Sequence, residues 1–302
     1  MTHRHAYALL LGVALLWSGN FPLAKLGLQE LGPLTMSAAR ALIAAPLLVL
    51  VSRVLEGPLP PLARRDLIAV VVLAVTGFVG NSALWYVGLR FTSPANAGIL
   101  GAASPVVVAL AASLWLRERL STINLVGIGL TLAAVLLTIA RGTPEILLTL
   151  SVNRGDVIIL ASQTLWVVYT LYSRANRSTF SPLQMLAGAH VVAAGLLLPL
   201  ALLERPWQSF AHASWVGFSV ILYSALLGTP GHIGFYQAVR TVGPGRAAVF
   251  MNLIPFLVLG LSWLMLGETI RWYHLVGAGG VIAGVYLTTR RSQPLPSGER
   301  AG

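Results

Sequence analysis

Arg90-Phe91-Thr92-Ser93-Pro94-Ala95-Asn96-Ala97 returns 150 positions later as Arg240-Thr241-Val242-Gly243-Pro244-Gly245-Arg246-Ala247. Outward from this stretch the match continues without a gap. Pro105 recurs as Pro255, Leu116 and Glu118 as Leu266 and Glu268, and Leu125-Val126-Gly127 as Leu275-Val276-Gly277. Across residues 85–141 and 235–291, 18 of 57 positions are identical, against roughly a tenth for unrelated stretches of such composition. Upstream the spacing is 149: Trp17 answers Trp166, and Pro33-Leu34 with Met36 answers Pro182-Leu183 with Met185. Internal duplication in an apolar chain is the sequence mark of a membrane transporter.

The composition agrees. The chain is 56% hydrophobic and 10% charged, far below the roughly 25% charge of soluble domains. Runs of about 20 apolar residues, enough to span a bilayer, recur from end to end. The net charge of +11 is spread over short connections between these runs, as membrane anchoring requires, rather than gathered into a nucleic-acid-binding stripe. Cysteine is absent, which removes disulfides and thiolate metal sites. The six histidines show no ligand spacing, so neither metal nor cofactor is expected. The apolar run from Tyr7 to Ala24 has a mid-chain counterpart around Trp166. It is therefore read as a retained helix and not a signal peptide.

The expected fold is an all-α integral membrane protein of ten helices in two copies of five. The spans are 7–27, 33–53, 66–89, 95–116 and 121–140, then 155–174, 182–203, 213–239, 245–266 and 271–289. The first repeat occupies residues 1–141, a connector 142–154, the second repeat 155–291, and a disordered tail 292–302. With both termini cytoplasmic, thirteen Lys and Arg fall on the inner side and six outside, with Arg40 within a span. This bias fits the positive-inside rule for a multi-pass protein of a bacterial-type inner membrane. Because five is odd, the second copy enters from the opposite face, and the halves are inverted about an axis in the membrane plane. Such pairs bind substrate near the midplane.

Trp17-Ser18-Gly19-Asn20-Phe21-Pro22 in helix 1, the Trp166-centred helix 6, and the segment from Thr92-Ser93-Pro94-Ala95 through Pro105 to Leu116-Arg117-Glu118-Arg119-Leu120-Ser121 carry a family resemblance, as does the counterpart around Pro255 and Glu268. Over residues 7–290 the chain resembles the drug/metabolite transporter superfamily, and within it the EamA-type proteins and YddG-type amino-acid exporters. The resemblance implies a central cavity lined by helices 1–4 and 6–9, with helices 5 and 10 peripheral. The superfamily carries amino acids, sugars, nucleotide-sugars, drugs and phosphorylated metabolites, so membership does not name the cargo.

Candidate substrate-binding residues follow from helical spacing. Gln163, Trp166 and Tyr169, with Thr170, share one face of helix 6, and Trp17 and Asn20 hold equivalent positions in helix 1. Asn81 and Trp85 lie one turn apart in helix 3, His232 and Tyr236 in helix 8. Each polar stripe suits either substrate contact or hydrogen bonding between helices. Arg40 lies about 10 Å below the outer end of helix 2, at roughly 1.5 Å per residue. A buried cation there usually faces a wet interior and suits a carboxylate, or it bonds backbone carbonyls. Asn252 precedes Pro255 by one turn. Pro105 and Pro255 each remove a backbone donor in mid-helix, and with Gly101 they are the candidate hinges of two gates. The nine acids all sit at helix ends, in connections or in the tail. No mid-membrane carboxylate is offered to lipophilic cations, and Glu118 and Glu268 are read as complementing the N-termini of helices 5 and 10. No catalytic constellation is found, so an enzyme is not expected. The expected function is export of amino acids, aromatic ones included, and related metabolites by alternating access; the alternative is broad drug or metabolite efflux, or a sugar-derivative carrier. The partners are a small-molecule substrate and the lipid bilayer, not nucleic acid, and a monomer is compatible with this reading.

Overall fold

The computed structural model describes residues 2–58, 61, 63–115, 120–148, 152–176, 178–229, 231–243, 247 and 250–289; Glu118 and Leu116 lie outside them, as does the side chain of Tyr236. Helix is the only regular structure among the described residues. In chain order the main helices are α1 (His3–Glu30), α2 (Pro33–Glu56), α3 (Arg64–Leu73, Ala74–Gly80 and Asn81–Phe91), α4 (Pro94–Ala102 and Ser104–Trp115), α5 (Thr122–Ile139), α6 (Arg154–Ala175), α7 (Pro182–Leu202), α8 (Trp215–Tyr223, Ser224–Gly228 and Gly231–Val242), α9 (Ile254–Leu266) and α10 (Trp272–Thr289). Eight of them, α1 to α8, are long and apolar enough to cross a membrane, and α9 is a shorter apolar helix.

The helix starts are written locally. Thr2, Ser93, Ser121, Asn153, Ser181 and Ser214 accept backbone N–H groups of the helices they precede, satisfying donors that would otherwise be orphaned in lipid. Pro33, Pro94 and Pro182 open α2, α4 and α7 in the first turn, where a missing N–H costs nothing. Acids complete several ends. Glu204 accepts from the backbone of Leu34 and Thr35 at 3.1 and 2.8 Å. Glu30 accepts from Ser214, and Asp66 from Ser178 and Thr179.

Two kinds of irregularity depart from the continuous helices expected. Both α3 and α8 contain a π-helical segment, Ala74–Gly80 and Ser224–Gly228, starting 150 residues apart. There the N–H of Asn81 reaches Thr76 O, and that of Thr229 reaches Ser224 O. Further, α4 does not kink at Pro105 in mid-helix: it stops at Ala102 and restarts at Ser104. Pro255 likewise falls in the first turn of α9. Both prolines thus sit where a new helical segment begins, and neither breaks an existing hydrogen bond.

Packing follows the small residues. α5 lies along α10, α2 along α7 and α6 along the second half of α3; α1 contacts α8 and α9, and α4 contacts α9 and α6. In the α5–α10 pair a Cβ on Gly284 would meet Thr131 Oγ1 at 2.1 Å and the Gly127 carbonyl at 2.6 Å. Thr131 and Thr138 bond carbonyls one turn back, so their hydroxyls are satisfied inside the seam. Large apolar side chains such as Leu50, Leu132, Val191 and Leu264 remain outward, where lipid would cover them.

Candidate functional site: a vestibule closed at one end

A cavity of about 850 Å³ enters the bundle at the end where α2 and α6 finish. Glu56, Asn176 and Ser178 rim it, and Trp166, Tyr169, Thr170 and His232 line its depth. Trp166 and Tyr169 stack with centroids 4.8 Å apart, the geometry their one-turn spacing on α6 allows. Tyr169 meets Phe78 edge-on at 5.7 Å, and Phe78 lies 4.0 Å from the His190 ring. Gly77 makes room for this: a Cβ there would fall 2.5 Å from the Tyr169 ring. Behind the lining residues His232 and Phe235, Trp17 packs on them at 4.8 and 5.6 Å. Its indole N–H donates to the Gly228 carbonyl at 3.0 Å, an acceptor at the end of the π-helical segment. Gly231 leaves the space that Trp17 fills.

Arg40 is partly buried, and its charge reaches both His190 and His232. Among the described residues no carboxylate pairs with Arg40 within 4 Å. Each histidine holds its Nδ1 against a backbone carbonyl, His190 on Leu186 and His232 on Thr229, at 2.9 and 3.0 Å. A carbonyl only accepts, so Nδ1 carries the proton and Nε2 points elsewhere. His190 Nε2 is buried without a partner.

The remaining candidates are placed differently. Asn81 donates to the Ser162 carbonyl on α6 at 2.8 Å. Gln163 accepts from Ser104 at 2.6 Å, at the break in α4. Asn20 accepts from Ser224, and Trp85 packs edge-on against Phe21 and Tyr86. These groups bridge helices. Gly101 faces Gln163 just before the α4 break. Pro105 is exposed and Pro255 buried. Asn252 lies in the turn ahead of α9, and Tyr236 lies in the α8 backbone.

At the opposite end the helices are tied together by residues that sequence reasoning treated as ordinary helix ends. Lys25 Nζ donates to the carbonyls of Leu89, Arg90 and Thr92 at 2.7, 3.2 and 2.7 Å, fastening α1 to the end of α3. Asp156 is fully buried. It accepts from the Thr92 hydroxyl and from the Asn96 amide, joining α6 to the start of α4. Gly155 lies against this seam, where a Cβ would come within 2.7 Å of backbone atoms of Gly88, Phe91 and Thr92. Glu268 also departs from expectation: it accepts from the backbone of Ala95 and so complements the N-terminus of α4 rather than of α10. Its position is set by Gly267, which ends α9 with φ +65° and a bond from Gly267 N–H to Trp263 O, as helix-ending glycines do.

Comparison with known proteins bears on this geometry. Residues 4–140 and 153–290 each match the EamA-like transporter family. The chain is 27% identical to the uncharacterized transporter YyaM of Bacillus subtilis, over 94% of this chain and 93% of that one. It is 27% identical to the uncharacterized inner membrane transporter YedA of Escherichia coli K12, over 94% and 90%. It is also 27% identical to a protein of Streptantibioticus cattleyicolor named "Probable terminal-alkyne amino-acid exporter", over 91% and 90%. A solved crystal structure shares the fold at a TM-score of 0.65 and 19% identity, covering 95% of this chain and 98% of that one. This multi-pass membrane protein belongs to the EamA-like transporter family.

Proposed function

We propose that the protein exports amino acids, aromatic ones included, and related small metabolites, by alternating access to the vestibule. The observation that carries the reading is a cavity lined by Trp166, Tyr169 and His232, whose imidazole packs on Trp17 and feels the charge of Arg40, a cation with no carboxylate partner among the described residues. A carboxylate on the guanidinium and a ring on the aromatic wall use both features, and a lipophilic cation would meet Arg40 with like charge. A volume of about 850 Å³ lies within the range of about 300–1,000 Å³ usual for small-molecule sites. The streptomycete relative's printed name adds the amino-acid class and the word exporter.

In this reading residues 1–141 and 155–291 are inverted five-helix repeats, α9 and α10 also cross the bilayer, and both termini are cytoplasmic. Two separate family matches and irregularities recurring at a spacing of 150 support it. The vestibule then faces the cytoplasm, Lys25 and Asp156 close the outer side, and the breaks at Gly101–Pro105 and before Pro255 are the hinges. A monomer in a bacterial-type inner membrane suffices, without cofactor or metal. The aromatic wall also favours a second reading, broad drug, metabolite or sugar-derivative efflux. Proteoliposomes loaded with a panel of amino acids decide between them. Amino-acid flux that disappears in Trp166→Ala and Arg40→Ala is the expected result, and flux of hydrophobic cations alone would overturn the assignment.

A further inference from the structure

A second, smaller pocket of about 280 Å³ lies at the tied end, on the far side of the bundle from the vestibule mouth, with Asn96 and Glu268 in its wall. Two acceptors here are buried without any donor, Asn96 Oδ1 and Glu268 Oε2. Asn96 is 4% exposed. Its amide nitrogen is committed to Asp156 at 3.3 Å, which turns its oxygen away from that carboxylate. The other side of the Glu268 carboxyl is held by the Ala95 N–H, one residue before Asn96. Leaving two such acceptors unpaired is costly, and one hydrogen shared between them would satisfy both.

We propose that Glu268 and Asn96 form a proton-binding site, in which the neutral glutamic acid donates Oε2–H to Asn96 Oδ1. One proton binds the carboxylate as the O–H bond forms; on release it returns to water through the pocket and the carboxylate recovers its charge. Burial pushes the Glu268 carboxyl above its ordinary range, opposed by the Ala95 N–H and the Lys25 ammonium. The groups facing it are Lys25 from α1, Asp156 from α6, Tyr273 and His274 from α10, and Arg141 after α5. Lys25, held on three carbonyls, and Arg141 nearby disfavour any cation here; burial outweighs the opposing Lys25 charge for the proton. The bound proton holds the α9–α10 link on α4, and α4 is held on α6 through Asp156. Losing it leaves two acceptors that need water, which favours opening of this end. The site therefore supplies a proton dependence at the end of the bundle away from the vestibule mouth.

The test is infrared titration of the purified full-length protein, in sodium and in N-methylglucamine buffers. A protonated-carboxyl band should vanish with a midpoint above the ordinary glutamate value of about 4.3, be lost in Glu268→Gln, and ignore sodium. Asn96→Ala should lower the midpoint, which keeps the test open if Glu268→Gln does not fold. A band that persists in Glu268→Gln, as it would if Asp156 were its source, overturns the proposal. So does an unchanged midpoint in Asn96→Ala, or a shift caused by sodium. The titration needs no transported solute, so absence of amino-acid flux would overturn the export reading and leave this one standing.

Discussion

Arg40 and Asn81 were equivalent candidates in sequence, each a polar residue inside an apolar run, and their surroundings separate them. Asn81 has spent its amide on Ser162, a bond worth about 0.6 kcal/mol by membrane double-mutant cycles. Asn81→Ala should therefore lower thermal stability slightly and leave the KM for amino-acid flux unchanged. Arg40 has no carboxylate partner, and its charge is directed at two histidines. Arg40→Ala should reduce flux at least tenfold, about 1.4 kcal/mol, with Arg40→Lys intermediate because an ammonium lacks the bidentate fork. Equal flux in wild type and Arg40→Ala, at equal amounts of folded protein, would remove the carboxylate site. Trp166, Tyr169 and Thr170, which helical spacing puts on one face, line one cavity. The same spacing could not show that Gln163 turns to Ser104, because that depends on where α4 breaks.

At the scale of elements, the repeat in the sequence is matched by recurring irregularity. The π-helical segments at Ala74 and Ser224 carry no proline and no glycine run that would have announced them. What distinguishes them is tertiary: Phe78 and Gly77 face α6 and α7, and Ser224 reaches Asn20. The prolines were legible, but as interruptions and not as kinks. Pro105→Ala, which lets α4 run on through Ala103, should slow transport more than it lowers folded yield, as single-turnover flux on purified protein would show. In the α5–α10 pair, Gly284→Val drives a side chain into Thr131 and the Gly127 carbonyl. Overpacking of this kind costs about 1–3 kcal/mol, and denaturation midpoints should fall accordingly while flux per folded molecule is retained.

For the whole molecule the question is which face each end meets, and the absence of cysteine makes single introduced thiols a clean probe. A cysteine at Thr143 should react with impermeant reagent from outside intact cells, and one at Thr2 only after the membrane is opened. Both on one face would refute the inverted arrangement. The pH response follows from Glu268, whose carboxyl is raised by burial. In the window between its unfolded and folded values the native state holds the extra proton, so stability falls as pH rises through that window. Melting curves of Glu268→Gln should lack this slope. By itself the sequence determined the membrane class, the helix starts and the two-fold ordering of the chain, because apolar run length, caps and identity at a fixed spacing are local properties. Only the tertiary structure decided which end is closed and by what. Lys25, Asp156, Asn96 and Glu268 are ordinary helix-end residues along the chain, and only the juxtaposition of α1, α3, α4, α6 and the α9–α10 link gives their charges and hydrogen bonds partners.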